Sequence, residues 1–313
     1  MANNLLSIND LSKKEILELI EFANKFFNDE GSFRRESLFP DKTIANVFCE
    51  PSTRTKSSFA IAAKNLGCSV IDFNIENSSV QKGESIYETI DALNLMGVDL
   101  CVLRHPESII RELAETLPEM VFVNAGEGSI SHPTQALLDA LAIRRRLGRG
   151  LEGLIVAICG DIAHSRVARS NIHLLSIMGA RVRAVAPPTL IPEGLERLGV
   201  VVHHNMSSGL KDADIIMMLR LQTERMKGSY VPSIREYYEL YGLNSKKLKM
   251  AKPHALIMHP GPMNRGVEID SELADDIDRS LIREQVEMGV AVRMASLQAL
   301  VDNQTVPWAK NQS

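Results

Sequence analysis

The stretch CEPSTRTKSSF, Cys49–Phe59, joins an apolar run to a segment of helical character. The run before it, TIANVFC (Thr43–Cys49), is typical of a buried strand, and the small and apolar residues after it indicate a helix. A helix N-terminus carries partial positive charge and favours Asp or Glu beside it. Arg54 is therefore unfavourable at this position unless an anion binds there. The stretch predicts a strand–helix unit with an anion site at its junction.

The alternation of apolar runs and helical segments continues along the chain. The runs of the first half are Thr43–Cys49, Cys68–Phe73, Val98–Leu103 and Met120–Val123. Those of the second half are Leu154–Cys159, Arg181–Ala186, Asp214–Leu219 and Ala255–Met258. This βαβα order is typical of parallel sheets with helices on both faces. We expect an α/β protein of two doubly wound parallel-sheet domains, with the active site in the cleft between them.

The predicted helices indicate where the two domains begin and end. Ser12 and Glu15 form a capping-box pattern that predicts a first helix, and another helix is expected from about Pro133 to Leu147. The Gly- and Arg-rich sequence after it resembles a hinge, and a last helix is expected from about Gln285 to Val301. We expect a first domain of residues 1–132 joined by a C-terminal segment 286–313, a connecting helix and hinge at 133–150, and a second domain of residues 151–285.

Composition limits the classes of function. The 313 residues carry a net charge of −4, which argues against nucleic acid or an anionic membrane as a partner. The N-terminus lacks the features of a signal peptide, so a cytoplasmic protein is expected. The cysteines Cys49, Cys68, Cys101 and Cys159 are far apart and suit buried reduced thiols. No CxxC, HxxxH or HExxH pattern is present, so we expect no metal. The single Gly160 falls far short of GxGxxG, so we expect no nicotinamide cofactor.

Polar residues follow the predicted strands of the first domain. Ser52–Thr55 combine hydroxyls, backbone N–H groups and an arginine, as in a phosphate cradle; an ordinary N-cap by Ser52 is the simpler alternative. Arg104 follows the third strand, where a solvated charge is the commoner explanation. His132 and Gln135 share a face at the next helix entrance. They can donate to a carbonyl oxygen and hold an amide group, and helix capping is an equal alternative.

The second domain repeats this arrangement. Arg166 is again a cation in the opening turn of a predicted helix. Arg220, Gln222 and Arg225 follow a strand and offer forked donors that suit carboxylates, with a solvated polar loop as the alternative. The turn HPGP, His259–Pro262, offers a shaped backbone. The first set of donors suits a phosphate next to a carbonyl, and the second suits a small dicarboxylate.

In this order, STRT, QKGES, RHP, HPTQ, DIAHSR, RLQTER and HPGP resemble the catalytic chain of the aspartate transcarbamoylase family, from about Leu6 to Val301. STRT and HPxQ mark transcarbamoylases in general, whereas RLQ and the lysine of QKGES point to the aspartate branch. The resemblance implies transfer of the carbamoyl group of carbamoyl phosphate to the amino group of L-aspartate, without a cofactor. This is the committed step of pyrimidine biosynthesis.

The resemblance also implies roles for individual residues. The phosphate would be held by Ser52, Thr53, Arg54, Thr55 and Arg104. The carbonyl oxygen would be polarised by Thr55, Arg104 and His132. The carbamoyl amide would be held by Gln135 and the backbone at Pro260 and Gly261. Aspartate would be bound by Lys82, Arg166, Arg220 and Gln222. Ser78 and Lys82 would come from a neighbouring subunit, in a homotrimer with shared active sites.

Three alternatives remain at this stage. Ornithine transcarbamoylase has a cysteine in the turn where this chain has HPGP, and Arg220 and Arg225 would repel the second amine of ornithine. A non-catalytic transcarbamoylase-like subunit should have lost cradle residues. A dinucleotide-binding dehydrogenase lacks its glycine fingerprint.

One departure from the family concerns its partners. Gly261 stands where some members have Leu, and NRGVEI follows the turn. This resembles the branch that works without a zinc-bearing regulatory chain. The sequence alone does not decide whether a regulatory chain or a dihydroorotase-like partner binds.

Overall fold

The structure, a computed structural model, describes residues 4–27, 32–75, 82–222 and 233–302. The chain divides into two compact units. In sequence, the first unit spans Met1–Leu141 and Val286–Ser313, and the second spans Ala142–Gln285. The described part of each unit contains one β-sheet with helices packed against it.

Helices alternate with the strands in both units. The helices of the described residues are α1 (Lys13–Asn24), α2 (Thr53–Asn65), α3 (Ile86–Leu95), α4 (Ile110–Thr116), α5 (Pro133–Leu147), α6 (Arg166–Ile177), α7 (Met206–Leu210), α8 (Ile234–Tyr241), α9 (Ser245–Leu248), α10 (Ser271–Ala274) and α11 (Ile282–Val301). Short 3₁₀ turns occupy Ile8–Asp10, Pro188–Leu190 and Leu195–Leu198.

The sheet of the first unit is parallel throughout. Its strands, in the order β2-β1-β3-β4, are β1 (Thr43–Phe48), β2 (Ser69–Asn74), β3 (Leu100–His105) and β4 (Val121–Glu127). Successive side chains of a strand point to opposite faces. Because Ile44, Ala45 and Val47 of β1 are all fully buried, both faces of this sheet are covered.

The sheet of the second unit is also parallel. Its strands, in the order β7-β6-β5-β8-β9, are β5 (Ile155–Cys159), β6 (Arg181–Val185), β7 (Val201–His203), β8 (Ile215–Met218) and β9 (Leu256–Met258). The prediction of two parallel-sheet α/β units is thereby confirmed.

Several predicted helix ends are confirmed. Ser12 caps α1 through the expected box: Glu15 N donates to Ser12 Oγ at 3.3 Å, and Ser12 N donates to Glu15 Oε2 at 2.6 Å. The bounds of α5 are those predicted from the sequence. Gly67, just after α2, has a φ of +84°, which favours glycine. A Cβ at this residue would also lie 2.8 Å from the Cα of Ser37, so the chain can pass only because the side chain is missing.

Two strands differ from the prediction. β7 was not predicted, because its three residues are too few to show a periodic pattern. β4 continues through Glu127, four residues beyond the predicted run. The polar residue Asn124 is tolerated inside this strand because its Nδ2 donates to Leu6 O at 2.9 Å and its Oδ1 accepts from Gly126 N at 2.8 Å. The strand reaches Glu127 because it continues to pair with β3 beyond an irregularity, where Glu127 lies opposite His105.

The cysteines are free thiols, as predicted. Cys68, Cys101 and Cys159 are buried, whereas Cys49 is half-buried. Burial raises the pKa of Cys49 to about 12 and that of Cys68 to about 11, which keeps both protonated at neutral pH. Across the described ranges, no helix is long and apolar enough to cross a membrane.

Candidate active site

Arg104 lies at the carboxyl end of β3, next to Phe48 at the end of β1. Its Nε donates to Glu50 Oε2 at 3.0 Å, and its Nη1 donates to Ser52 Oγ at 3.2 Å. The side chains of Arg104 and Glu50 are only 15% and 17% exposed. The arginine is therefore held in a defined position at the sheet edge and is not a solvated strand-end charge.

The N-terminus of α2 carries the STRT motif. Ser52 occupies the N-cap position, but within the described part of the chain its side chain makes no capping hydrogen bond to the helix. Thr53 and Arg54 are exposed and Thr55 is buried. The first N–H groups of a helix have no partner within the helix, and their dipoles favour an anion. With Arg54 and Arg104 nearby in the fold, this edge of the sheet can bind a phosphate.

The turn from β4 into α5 places His132 and Gln135. Glu127 N donates to Ser131 O at 2.9 Å, which closes the turn, and Gln135 N donates to His132 O at 3.0 Å. His132 and Gln135 are 3% and 8% exposed. The Nε2 of Gln135 donates to Asp139 Oδ1 at 2.9 Å. Both predicted residues are thus largely buried polar groups at the helix entrance.

Asp161 organises the corresponding turn after β5 in the second unit. Its fully buried carboxylate accepts from His164 N and from Gln222 N, each at 3.2 Å. It also lies 2.8 Å from Nδ1 of His164. The side-chain amide of Gln222 donates to His164 O at 3.0 Å. The segment after β8 is thereby fixed next to the start of α6, where Arg166 is 6% exposed.

A second buried carboxylate, that of Glu268, fixes the backbone next to Arg220. It accepts from Leu221 N at 2.9 Å, from Asn264 N at 2.7 Å and from Asn264 Nδ2 at 2.7 Å. Burial raises the pKa of Glu268, and the hydrogen bonds from Leu221 and Asn264 act in the opposite direction. Arg220 itself is partly exposed. The backbone next to this arginine is thus held in a fixed position.

The HPGP turn has a fixed backbone. Gly261 has a φ of +63°, in the left-handed region that favours glycine. Its N–H donates to His259 Nδ1 at 2.9 Å, and His259 N donates to Gln285 Oε1 at 3.0 Å. The peptide bond from Gly261 to Pro262 is cis. Glycine at this position therefore follows from the backbone conformation of the turn.

The predicted residues fall into two sets, one in each unit. Those of the first unit are Ser52, Thr53, Arg54, Thr55, Arg104, His132 and Gln135. Those of the second unit are Arg166, Arg220, Gln222, Pro260 and Gly261. Lys82 is described and exposed, whereas Ser78 and Arg225 lie outside the described residues. Among the residues that the structure describes, no group of three or more His, Cys, Asp or Glu side chains could hold a metal ion.

The acidic residues of both sets were missed in the sequence. Glu50 and Asp161 each stand at the second position after a strand and next to a predicted binding motif. Asp139 stands four residues after Gln135, one helical turn away. These spacings are the only signal in the sequence, because an anion site is marked by its cations and not by the carboxylates that position them.

Comparisons with known families match the two halves of the chain. The family model described as Aspartate/ornithine carbamoyltransferase, carbamoyl-P binding domain, matches residues 3–145. The model described as Aspartate/ornithine carbamoyltransferase, Asp/Orn binding domain, matches residues 152–300. The chain belongs to the aspartate/ornithine carbamoyltransferase family.

Similar individual proteins come from the aspartate branch of that family. The aspartate carbamoyltransferase catalytic subunit of Parvibaculum lavamentivorans is 59% identical over 301 residues, which cover 96% of this chain and 92% of that protein. The protein of the same name from Rhodospirillum centenum is 57% identical over 298 residues, covering 95% and 93%. The crystal structure of aspartate transcarbamoylase from Trypanosoma cruzi with carbamoyl phosphate and aspartate superposes with a TM-score of 0.84 at 30% identity, covering 95% of this chain and 96% of that one. The resemblance stated from the sequence motifs is confirmed.

Proposed function

We propose that this protein is an aspartate carbamoyltransferase that transfers the carbamoyl group of carbamoyl phosphate to the amino group of L-aspartate. The products are N-carbamoyl-L-aspartate and phosphate. The observation that carries this proposal is the cluster at the edge of the first sheet, where Ser52 accepts a hydrogen bond from Arg104 and its side chain does not cap α2. The names of the similar curated relatives support the same reaction.

In this proposal, the first unit binds carbamoyl phosphate. Ser52, Thr53, Arg54, Thr55 and Arg104 hold the phosphate through hydroxyls, guanidinium groups and the first N–H groups of α2. In the domain terms expected above, residues 1–132 with 286–313 form the carbamoyl-phosphate-binding domain, 133–150 connect the domains, and 151–285 bind aspartate.

The acceptor substrate is proposed to bind to the second unit. Arg166 and Arg220 offer guanidinium forks that pair with the two carboxylates of aspartate, and Gln222 offers an amide. The fixed backbone around Gln222 and Leu221 supports this role, because buried carboxylates hold both residues in place. Carboxylate recognition of this kind favours aspartate over an acceptor with a second amine.

The chemistry requires no protein nucleophile. The amine of aspartate attacks the carbonyl carbon, and the charge that develops on the carbonyl oxygen is stabilised by Thr55, Arg104 and His132. Gln135 and the backbone at Pro260 and Gly261 accept hydrogen bonds from the carbamoyl NH₂ group. The tetrahedral intermediate expels phosphate, which takes a proton from the amine. Positioning of the two substrates and stabilisation of the oxyanion lower the barrier.

The assembly is proposed to be a homotrimer in which Ser78 and Lys82 complete the site of a neighbouring chain, with Lys82 also reaching aspartate. The exposure of Lys82 supports this proposal, since a side chain that serves a neighbour must be accessible on its own chain. Light scattering of the purified protein tests it, and the expected mass is three times the 34.6 kDa of one chain.

A direct assay tests the proposed reaction. The purified protein is incubated with carbamoyl phosphate and either L-aspartate or L-ornithine, and the products are separated and quantified. We expect carbamoyl-aspartate from the first mixture and no citrulline from the second. Citrulline alone would assign the chain to the ornithine branch, and the absence of both products from folded protein would make it a non-catalytic subunit.

A further inference from the structure

Gln135 is tied to a carboxylate that the family motifs do not include. Its Nε2 donates to Asp139 Oδ1 at 2.9 Å, one helical turn further along α5. Gln135 is 8% exposed and Asp139 is fully buried. Inside the protein, such a hydrogen bond to an ionised group is stronger than one between neutral groups.

Asp139 determines the orientation of the side-chain amide of Gln135. The two ends of a glutamine amide are nearly equal in size, but one only donates and the other only accepts. An ionised carboxylate only accepts hydrogen bonds, so the NH₂ group of Gln135 must face Asp139. The oxygen of Gln135 then remains as the acceptor for a ligand.

Arg293 on α11 supplies the positive charge that favours the ionised form of Asp139. Arg293 is 3% exposed, and its guanidinium carbon lies 5.0 Å from the centre of the Phe59 ring, a cation–π contact. Burial lowers the pKa of Arg293 to about 9, and the charge of Asp139 acts against that shift. Gly289 makes room for the group, because a Cβ at this position would lie 2.6 Å from Nη1 of Arg293.

We propose that Asp139, with Arg293 as its counter-charge, is a positioning residue that turns the oxygen of Gln135 toward the carbamoyl nitrogen. The site thereby selects an acyl phosphate that carries NH₂ over one that carries CH₃. This inference rests on the proposed contact between Gln135 and the carbamoyl group. Asp139 touches no substrate itself and acts only through the orientation of the amide.

The test compares carbamoyl phosphate with acetyl phosphate, which has the same shape and no NH₂ group. Dissociation constants of both ligands and of inorganic phosphate are measured by calorimetry on the full-length protein. The main variant is Asp139→Leu with Arg293→Met, because removing both buried charges avoids leaving one of them uncompensated. We expect carbamoyl phosphate to bind about tenfold more weakly, with acetyl phosphate and phosphate unchanged.

A second variant, Asp139→Asn with Arg293→Met, keeps the size of the side chain and covers a failure of the first to fold. Asparagine satisfies either orientation of Gln135, so about half of the molecules keep the competent one and the loss should be only about twofold. An unchanged ratio of the two acyl phosphate constants in a folded variant overturns the inference. An equal weakening of all three ligands does so too, since it indicates a merely structural role.

Gln135→Ala separates this inference from the proposed function on which it rests. We expect this variant to lose the preference for carbamoyl over acetyl phosphate. If it keeps the preference, the proposed contact of Gln135 with the carbamoyl group is wrong. If it loses the preference and the variants at Asp139 keep it, only the inference about Asp139 and Arg293 fails.

Discussion

The guanidinium of Arg104 is neutralised at close range by the carboxylate of Glu50, 3.0 Å from its Nε. An anion that binds at Arg104 therefore meets a like charge beside it. Replacing Glu50 with Gln keeps an acceptor for the arginine and removes that charge. We expect inorganic phosphate to bind several-fold more tightly, because the repulsion between two like charges is lost.

Calorimetry with inorganic phosphate checks this expectation for Glu50→Gln. The matched control is Glu107→Gln, which removes an exposed carboxylate from the loop after β3 and should leave phosphate affinity unchanged. Weaker binding by Glu50→Gln alone would mean that Glu50 acts mainly by holding Arg104 in place.

Arg54→Ala should nearly abolish turnover. The side chain is exposed at the start of α2, so its truncation should not unfold the protein. The lost contact with the leaving phosphate should cost about 3–4 kcal/mol of transition-state stabilisation. Steady-state rates and circular dichroism measure the two effects. Lys64→Ala, in the last turn of the same helix, should retain the wild-type rate. A folded Arg54→Ala enzyme within a few-fold of that rate would remove the arginine from the cradle.

Arg220→Ala should weaken the binding of aspartate and leave that of carbamoyl phosphate near its wild-type value. Its proposed partner is a carboxylate distant from the reacting carbonyl, and a charged hydrogen bond contributes about 1.5–3 kcal/mol. Separate titrations with the two substrates distinguish them. Arg181→Ala removes an exposed arginine of the same unit and serves as the control. The opposite pattern would reverse the assignment of substrates to the two units.

Gly160→Ala should destabilise the second unit by about 1–3 kcal/mol. The residue has a φ of +118°, and a Cβ would lie 3.0 Å from Leu219 O and 3.1 Å from the hydroxyl of Tyr237. Gly153 also has a positive φ, of +74°, but a Cβ there would meet no atom of the described residues within 4 Å. Urea unfolding of both alanine variants separates strain from steric conflict. Equal losses would show that the backbone conformation alone accounts for the glycine.

Subunit mixing tests whether a neighbour supplies Lys82. The inactive variants Arg54→Ala and Lys82→Ala are dissociated, mixed equally and reassembled. A site works when its own chain supplies Arg54 and its neighbour supplies Lys82, which random assembly makes true of about a quarter of the sites. Activity should return to roughly that fraction of wild type. Native mass spectrometry confirms the exchange of subunits, and an exchanged mixture without activity would place the whole site within one chain.

Local patterns were sufficient for most of the fold. The bounds of α5 could be predicted because Pro133 suits a first helical position and Gly148 follows the last residue. By contrast, the end of β4 depends on the irregular pairing of Glu127 with His105 of β3, which is not a neighbour in sequence. No local pattern reports such a partner. The short strand β7 likewise exists only through its pairing with β6.

Some residues of the candidate site could likewise be predicted from local sequence, and others could not. The cations and amides could be identified because each is an uncommon residue at its position in a strand–helix unit. Arg54, a cation at the start of a helix, is one example. The carboxylates could not, because their function is defined by a partner. Glu50 accepts a hydrogen bond from Arg104, which lies 54 residues away in sequence. Asp161 accepts one from the backbone of Gln222. Their roles are properties of the tertiary structure.

The hydroxyl of Ser52 accepts a hydrogen bond from Arg104 instead of closing the helix that it precedes. A phosphate bound as proposed would accept hydrogen bonds from the first N–H groups of α2, so its binding would stabilise this turn. Amide hydrogen exchange at Thr53–Thr55 should slow when phosphate is added, and by a factor that follows phosphate concentration. In this proposal, the stability of the first turn of α2 is therefore linked to the concentration of phosphate.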